Sequence, residues 1–498
     1  MTGKARRTKM SVRNAVATMV DRGVGLLLSF ISRTFFLKLL SAEYLGLGGL
    51  FGNVFSVISL CELGFGAAIT QSLYKPIAQN DEIQVSRIIN YYSKIYKRVC
   101  VVSIVLSLAF LPFVPYIATK SIPNIQGIYL LFAFHNCIGY LFAPKRMLLV
   151  CDQHQYVVTG IRIVFNILVF VMQTLLLITT KNYVLYLSAR IFMLALEGTV
   201  TDYVSGKKYA FLKSGIYPDE KYKSRLFVKV KSLLLHKIGA NLTHSTDSIL
   251  ISVYLGLESM GKYSNYALVA GSVITLIDIV IGSVSASVGN LSASTDSEKN
   301  ISVLRRLFYI NFALLTLFSC VLLNTLNPFI KLWIGEEYLF DMVTVAIIIS
   351  SFYFSCIRDP VQVFLNAYGI FEKSGYMTLC RAVVNFVLSV LFVKNYGIAG
   401  VFLGTAISAA TVPLWCEPLF LYKCGFKCSV KPFMREMFFL IGVSFLACAF
   451  SFLLCSSLPE TFYGILLRSF ISAVVAFAAI GCVFIGGLKP GKNFNRRL

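Results

Sequence analysis

Sixteen charged side chains stand inside long apolar runs of this 498-residue sequence. Eight are basic: Arg22, Arg33, Arg162, Arg190, Lys237, Arg358, Arg381 and Arg468. Eight are acidic: Asp21, Glu62, Glu197, Asp202, Asp247, Asp278, Asp359 and Glu417. A charge at the centre of a membrane span costs at least ~2.5–3.5 kcal/mol on insertion scales, so each needs a counter-ion or a wet cavity. Arg22, Ser29 and Arg33 are spaced 7 and 4 apart. At about 100° per helical residue they fall within about 20° of one line, and Asp21 points about 100° away. Lys237, His244 and Ser248 repeat the 7-and-4 spacing, with Asn241 beside them; Asp247 lies about 80° off that line. Two such stripes facing one another would line a cationic, hydrated cleft. That chemistry binds anions, because guanidinium grips a phosphate or carboxylate through two parallel hydrogen bonds.

The other intramembrane charges divide into candidates for ion coupling and candidates for packing. Glu62, Asp278 and Asp247 could each hold a coupling proton or Na+, or neutralise an arginine. Arg162 and Arg381 stand near helix ends, where a long side chain snorkels to headgroups. Arg468 reads as an interface anchor, and the neighbours Asp21-Arg22 and Arg358-Asp359 as groups partnered within the fold. His135, in Phe134-His135-Asn136, is the one residue resembling an embedded acyltransferase histidine, but a lone span histidine usually only satisfies a hydrogen bond. No catalytic residue and no cofactor are therefore assigned. Cys424 and Cys428 have no nearby His, so no metal site is assigned, and the 13 scattered cysteines read as reduced thiols.

The elements that must position these groups are set by composition. The chain is 57% hydrophobic and 14% charged, with a mean hydropathy of +0.74. Apolar runs recur throughout, each long enough to cross a hydrocarbon core of roughly 30 Å. The expected fold is an all-α polytopic membrane protein with about 14 spans, near 13–41, 45–73, 93–117, 126–151, 156–180, 183–206, 228–255, 260–290, 306–334, 339–368, 374–394, 397–423, 433–456 and 462–487. The basic start precedes a segment with no small-residue cleavage site, which argues against a removable signal peptide. Of the 46 basic residues, 32 fall on one side of these spans and six on the other, which makes both termini cytoplasmic by the positive-inside bias. The net charge of +23 is spread over short loops and tails, a pattern that suits a membrane surface and excludes a nucleic-acid partner.

The chain also matches itself at an offset of about 216 residues. Arg22 pairs with Lys237, Glu43 with Glu258, Glu62 with Asp278, Gly66 with Gly282, Pro112-Phe113 with Pro328-Phe329, and Pro144 with Pro360. Arg162 and Asn166 recur as Arg381 and Asn385. This divides the protein into a cytoplasmic tail (1–10), an N-lobe (11–212), a linker (213–227), a C-lobe (228–424), two appended helices (425–488) and a tail (489–498). Six helices per lobe is an even number, so the lobes relate by a pseudo-two-fold along the membrane normal. Such repeats place a substrate site at their interface, and rocking one against the other alternates access.

The stretch from Arg33 to Phe51, reading RTFFLKLLSAEYLGLGGLF, resembles the opening of Wzx-type polysaccharide flippases. Leu60-Cys-Glu62-Leu-Gly64-Phe-Gly66 and Leu73-Tyr-Lys-Pro76 are similar to the same family. The resemblance is specific over about residues 11–98 and beyond that rests on the six-plus-six-plus-two layout. It implies the multidrug/oligosaccharidyl-lipid/polysaccharide exporter fold, in the bacterial cytoplasmic membrane. It also implies, as cargo, a polyprenyl-diphosphate-linked oligosaccharide flipped from the inner to the outer leaflet for cell-surface polysaccharide assembly. Arg22 and Arg33 occupy positions where the family carries arginines; Lys237 rests on the repeat. Partners implied are the lipid-linked oligosaccharide, membrane lipids, and a polysaccharide polymerase with its assembly proteins. A multidrug or cation exporter and a lipid II flippase remain alternatives within the same fold. A membrane polymerase would place its chemistry on a large outer loop, which is missing here.

Overall fold

A computed structural model describes residues 3–62, 65–117, 122–212, 217–284, 288 and 297–485. Every regular element among the described residues is helical, as it must be where hydrocarbon offers backbone N–H and C=O groups no other partner. The helices are α1 (Gly3–Leu39), α2 (Ala42–Ile58), α3 (Phe65–Ala78), α4 (Glu82–Phe110), α5 (Ile125–Cys151), α6 (Gln155–Thr180), α7 (Tyr183–Lys208), α8 (Glu220–Ser283), α9 (Ser297–Ile334), α10 (Met342–Cys356), α11 (Asp359–Ala367), α12 (Phe371–Thr411), α13 (Pro413–Phe420), α14 (Lys431–Cys455) and α15 (Phe462–Ile485).

Among the described residues, 11 helices are long and apolar enough to cross a membrane, and α2 is a shorter apolar helix. Two of the long ones break at a glycine with positive φ, Gly256 (φ 86°) in α8 and Gly397 (φ 57°) in α12. Only glycine adopts that conformation without strain. Counting both halves of each broken helix, the crossing segments among the described residues number 13, with the shorter α2 as a fourteenth apolar helix, against the expected 14.

Two expectations need correction. The second span, expected unbroken over 45–73, ends at Ile58, passes through a 3-10 turn at Ser59–Glu62, and resumes at Phe65. Two glycines, Gly64 and Gly66, follow that turn, and each weakens a helix by about 1 kcal/mol relative to alanine. Glu62 therefore stands at a break, not within a helix. The expected loop at 207–227 is also shorter, because α8 already begins at Glu220.

The chain forms two compact units, one from Met1–Asn241 with Gly256–Glu258, the other from Leu242–Leu255 with Ser259–Leu498. In the first, α5 packs against α4 and α7, while α6 packs against α1 and α7. Its core includes Ile88, Tyr92, Tyr96, Leu148 and Leu149. In the second, α9 packs on α14 and α15, and α10 on α12. There the burial pattern is inverted relative to a water-soluble bundle. Thr316 shares a hydrogen bond with Ser444 at 2.7 Å, and Asn324 donates to Ser451 and Ser472 at 3.0 and 2.9 Å, all buried. Leu446 and Leu453 on α14 are 72% and 70% exposed. Small polar residues join the helices while large apolar ones face outward, as packing within lipid requires. Arg468, expected at the interface, is 8% exposed and donates to the carbonyls of Asn324 and Leu458. It ties α15 to α9 through the Asn324 carbonyl, with its Nε buried and without an acceptor.

Candidate functional site

The azimuth of α1 decides where its basic stripe points, and three contacts within the first unit set it. Asn14 donates to the Gln153 carbonyl and accepts from the Tyr156 N–H, both at 2.9 Å. Arg162 on α6 grips Asp21 through Nε at 3.2 Å and Nη2 at 2.5 Å. Phe36 packs edge-on against Tyr183 and Tyr186 of α7. With Asp21 turned to α6, Arg22 points about a quarter-turn away, and it is exposed. Ser29 is exposed on the same helix and bonds back to the Gly25 carbonyl at 2.7 Å. Arg33 is half-buried, with Tyr186 in electrostatic reach.

The acids of this unit are mostly spoken for. Asp21 holds Arg162, Glu197 holds Arg146 at 3.1 Å, and Asp202 holds Lys145 at 3.1 Å. Glu62 accepts from the Tyr96 hydroxyl. Asp152 ties α5 to the end of α7 by accepting from Lys208 at 2.9 Å and Tyr209 at 2.7 Å. Burial, then this carboxylate, pushes the Tyr209 phenol well above its usual range. Arg162 was expected to snorkel; it pairs instead. Arg22 and Arg190 have no ion pair or hydrogen bond among the described residues.

A cavity of about 370 Å³ opens between α2, α5 and α7 of this unit, with Arg190, His135 and Asn136 on its wall. His135 makes no hydrogen bond among the described residues, contrary to the reading of a merely satisfied histidine. Sequence reasoning counted Arg190 among the span charges but assigned it no role. Tyr183, Tyr186 and Arg190 recur at i, i+3 and i+7, one face of α7, and that spacing was the available signal.

In the second unit Asp247 is 5% exposed and accepts from the Thr405 hydroxyl at 2.8 Å. Asn385 donates to the same hydroxyl at 2.7 Å. Asp247 Oδ1 and Asn385 Oδ1 are buried with no hydrogen-bond donor. Arg381 reaches Ser355 at 3.0 Å, so it too is buried in the fold rather than snorkelled to headgroups. Arg358 pairs with Glu417, not with its neighbour Asp359. Asp278 is exposed, within electrostatic reach of Asp359. No cluster of three or more His, Cys, Asp or Glu suited to a metal occurs among the described residues. Asn241 is half-buried; the side chains of Lys237 and His244 lie outside the described ones.

This fold is one shared with solved multi-pass membrane transporters. Solved structures with the same fold include "Lipid II flippase MurJ, inward closed conformation", at 15% identity and TM-score 0.67, covering 96% of this chain and 99% of that one. An inward-facing multidrug resistance MATE family transporter of the MOP superfamily matches at 13% identity and TM-score 0.60, covering 82% and 97%. A MOP superfamily transporter from Pyrococcus furiosus, whose binding pocket is described as of reverse polarity, matches at 13% and TM-score 0.57, covering 84% and 97%. No curated protein matches the chain by sequence. The family described as "Polysaccharide biosynthesis protein" matches residues 11–285, more than half of the chain. The protein belongs to that family, in agreement with the resemblance carried by residues 11–98.

Proposed function

We propose that the protein flips a polyprenyl-diphosphate-linked oligosaccharide from the inner to the outer leaflet of the bacterial cytoplasmic membrane by alternating access, with both termini cytoplasmic. The observation that carries this is the unpaired Arg22: its acidic neighbour is consumed by Arg162, and the guanidinium stays exposed at span depth. A diphosphate is the group such a cation retains. Arg22, Arg33 and Lys237 bind it, with Ser29, Asn241 and His244 supplying hydrogen bonds. The reading needs no bond-making step, so no catalytic residue is assigned. Coupling to H+ or Na+ falls to Asp247, where two buried acceptor oxygens without donors, on Asp247 and Asn385, suit a cation. Glu62 and Asp278 are the further coupling candidates. A polymerase and assembly proteins take the product.

A charge-assisted hydrogen bond contributes about 1.5–3 kcal/mol net, so losing one arginine weakens binding roughly tenfold to a hundredfold. In a glycan-export complementation assay at matched protein levels, export should fall from wild type to Arg→Lys to Arg→Ala at positions 22 and 33. Intact export in the Arg22→Ala/Arg33→Ala double variant refutes the anion site. Loss of cationic-dye efflux in Glu62→Gln and Asp278→Asn would put a drug exporter in its place. Rescue of cells depleted of their own lipid II flippase would make lipid II the cargo.

A further inference from the structure

We infer that the cavity between α2, α5 and α7 is a subsite for a carboxylate-bearing sugar ring, a hexuronic acid, of the transported glycan; this rests on the transport reading above. The cavity measures about 370 Å³, near the lower end of the ~300–1,000 Å³ of small-molecule sites. That accommodates a ring or two and not a lipid.

Its walls divide by chemistry as a pyranose does. Phe55 and Phe132 supply apolar faces, and neither ring is loose. Phe132 meets Phe51 edge-on at 5.5 Å, and Phe55 leans on Tyr129 at 5.1 Å. Preset aromatic faces suit the C–H face of a sugar, which is its apolar side. Nearby on α2, Gly52 leaves room beside Phe55: a Cβ there would touch nothing within 4 Å. The polar wall is incomplete. Asn136 Nδ2 is buried with no hydrogen-bond acceptor, and His135 lacks a partner among the described residues. Buried donors and acceptors normally find partners, so this wall is built for groups that arrive with a ligand. Hydroxyls meet that need.

Among the described residues the one charge on the wall is Arg190, which has no carboxylate partner there and whose field reaches His135. A lone guanidinium beside an amide and aromatic faces matches one carboxylate, bound bidentately. A diphosphate carries more charge than this wall neutralises.

Saturation-transfer NMR on the purified full-length chain in detergent tests the assignment, with D-glucuronate, D-glucose and inorganic pyrophosphate as probes. Glucuronate ring protons should receive saturation at least about fivefold above glucose. Arg190→Ala should lower that signal about tenfold, Arg190→Lys and Asn136→Ala by less, and excess pyrophosphate should leave it in place. No glucuronate signal in wild type, equal signals for glucose and glucuronate, displacement by pyrophosphate, or an unchanged signal in Arg190→Ala overturns the subsite. If Arg190→Ala fails to fold, Arg190→Lys and Asn136→Ala decide, and unchanged signals in both overturn it equally. The Arg22→Ala/Arg33→Ala variant separates the two readings. Loss of export there with no glucuronate signal in wild type leaves transport standing without the subsite. Intact export there removes the diphosphate site while the glucuronate signal still judges Arg190.

Discussion

Breaking the Arg358–Glu417 pair should destabilise the second unit, and its surroundings make the cost asymmetric. Glu417 is fully buried and Arg358 only 11% exposed by side chain. Removing one member of such a pair strands the other, at about 3–5 kcal/mol. In Glu417→Gln the stranded Arg358 still has Asp359 within electrostatic reach, which puts the loss at the lower bound, about 3 kcal/mol. In Arg358→Met two carboxylates lose their cation and Arg381 alone remains nearby, which puts the loss at the upper bound, about 5 kcal/mol. The Arg358→Met/Glu417→Gln double variant leaves only Asp359 without Arg358, so its loss should fall below that of Arg358→Met alone and far below the sum of the single losses. Equilibrium unfolding in mixed micelles with increasing denaturing detergent, read by fluorescence or circular dichroism, gives the four values of the double-mutant cycle. Additive losses, or Glu417→Gln costing more than Arg358→Met, would refute the reasoning.

Other substitutions test separate features. Asp341 caps α10 by accepting from the Thr344 N–H at 3.0 Å and hydroxyl at 2.6 Å; Asp341→Ala should cost about 0.5–2 kcal/mol. The Thr344 hydroxyl holds the Asp341 carboxyl below its ordinary value. The cap's contribution is therefore complete above the unfolded value of about 3.9 and is lost as pH falls through the lower folded value, which pH-resolved melting of wild type and Asp341→Ala should show. A Cβ at Gly404 would stand 2.5 Å from Ser389 Oγ and 2.7 Å from its backbone nitrogen, whereas one at Gly160 would meet nothing within 4 Å. Gly404→Ala should lose about 1–3 kcal/mol by overpacking, and Gly160→Ala should be neutral or stabilising by up to about 1 kcal/mol; the reverse order in thermal melts would contradict the packing of α12. In a cysteine-free background, Lys181→Cys should react with an impermeant thiol reagent in intact cells and Gly215→Cys should not. The opposite pattern inverts the topology.

How far the sequence could be read depended on what each physical signal encodes. Apolar runs of span length located the helices because the bilayer sets one length scale for all of them. The break before Phe65 left no such trace, since apolar composition continues through it and only Gly64 and Gly66 mark it. Periodicity gave the stripe Arg22–Ser29–Arg33 its common azimuth, but an azimuth says nothing about which neighbour each face meets. That came from Asn14, Asp21 and Phe36 docking on residues of α6 and α7, far away in sequence. Arg468 illustrates the same limit: its depth along α15 was readable, while the Asn324 carbonyl it meets on α9 was not. Arg190 was visible as a charge in a span, and its lack of a counter-ion among the described residues emerged only from the three-dimensional pairing of the unit's charges.

The Asp247–Thr405 hydrogen bond joins residues 158 apart in the chain, and that separation has a consequence for biogenesis. At about 5–20 residues per second of synthesis, the aspartate emerges roughly 8–30 s before its hydroxyl partner. Asn385, which completes the cluster, is made only shortly before Thr405. The helix bearing Asp247 must therefore enter the bilayer with its carboxylate unanswered, at ~2.5–3.5 kcal/mol if it reaches the centre. Gly256 lets the chain continue into the second half of α8 with almost no intervening loop, so the two halves can insert together as a hairpin and shelter the acid between them. Ribosome stalling or truncation in the interval between Asp247 and Asn385 would leave this segment as the natural point for membrane quality control to act.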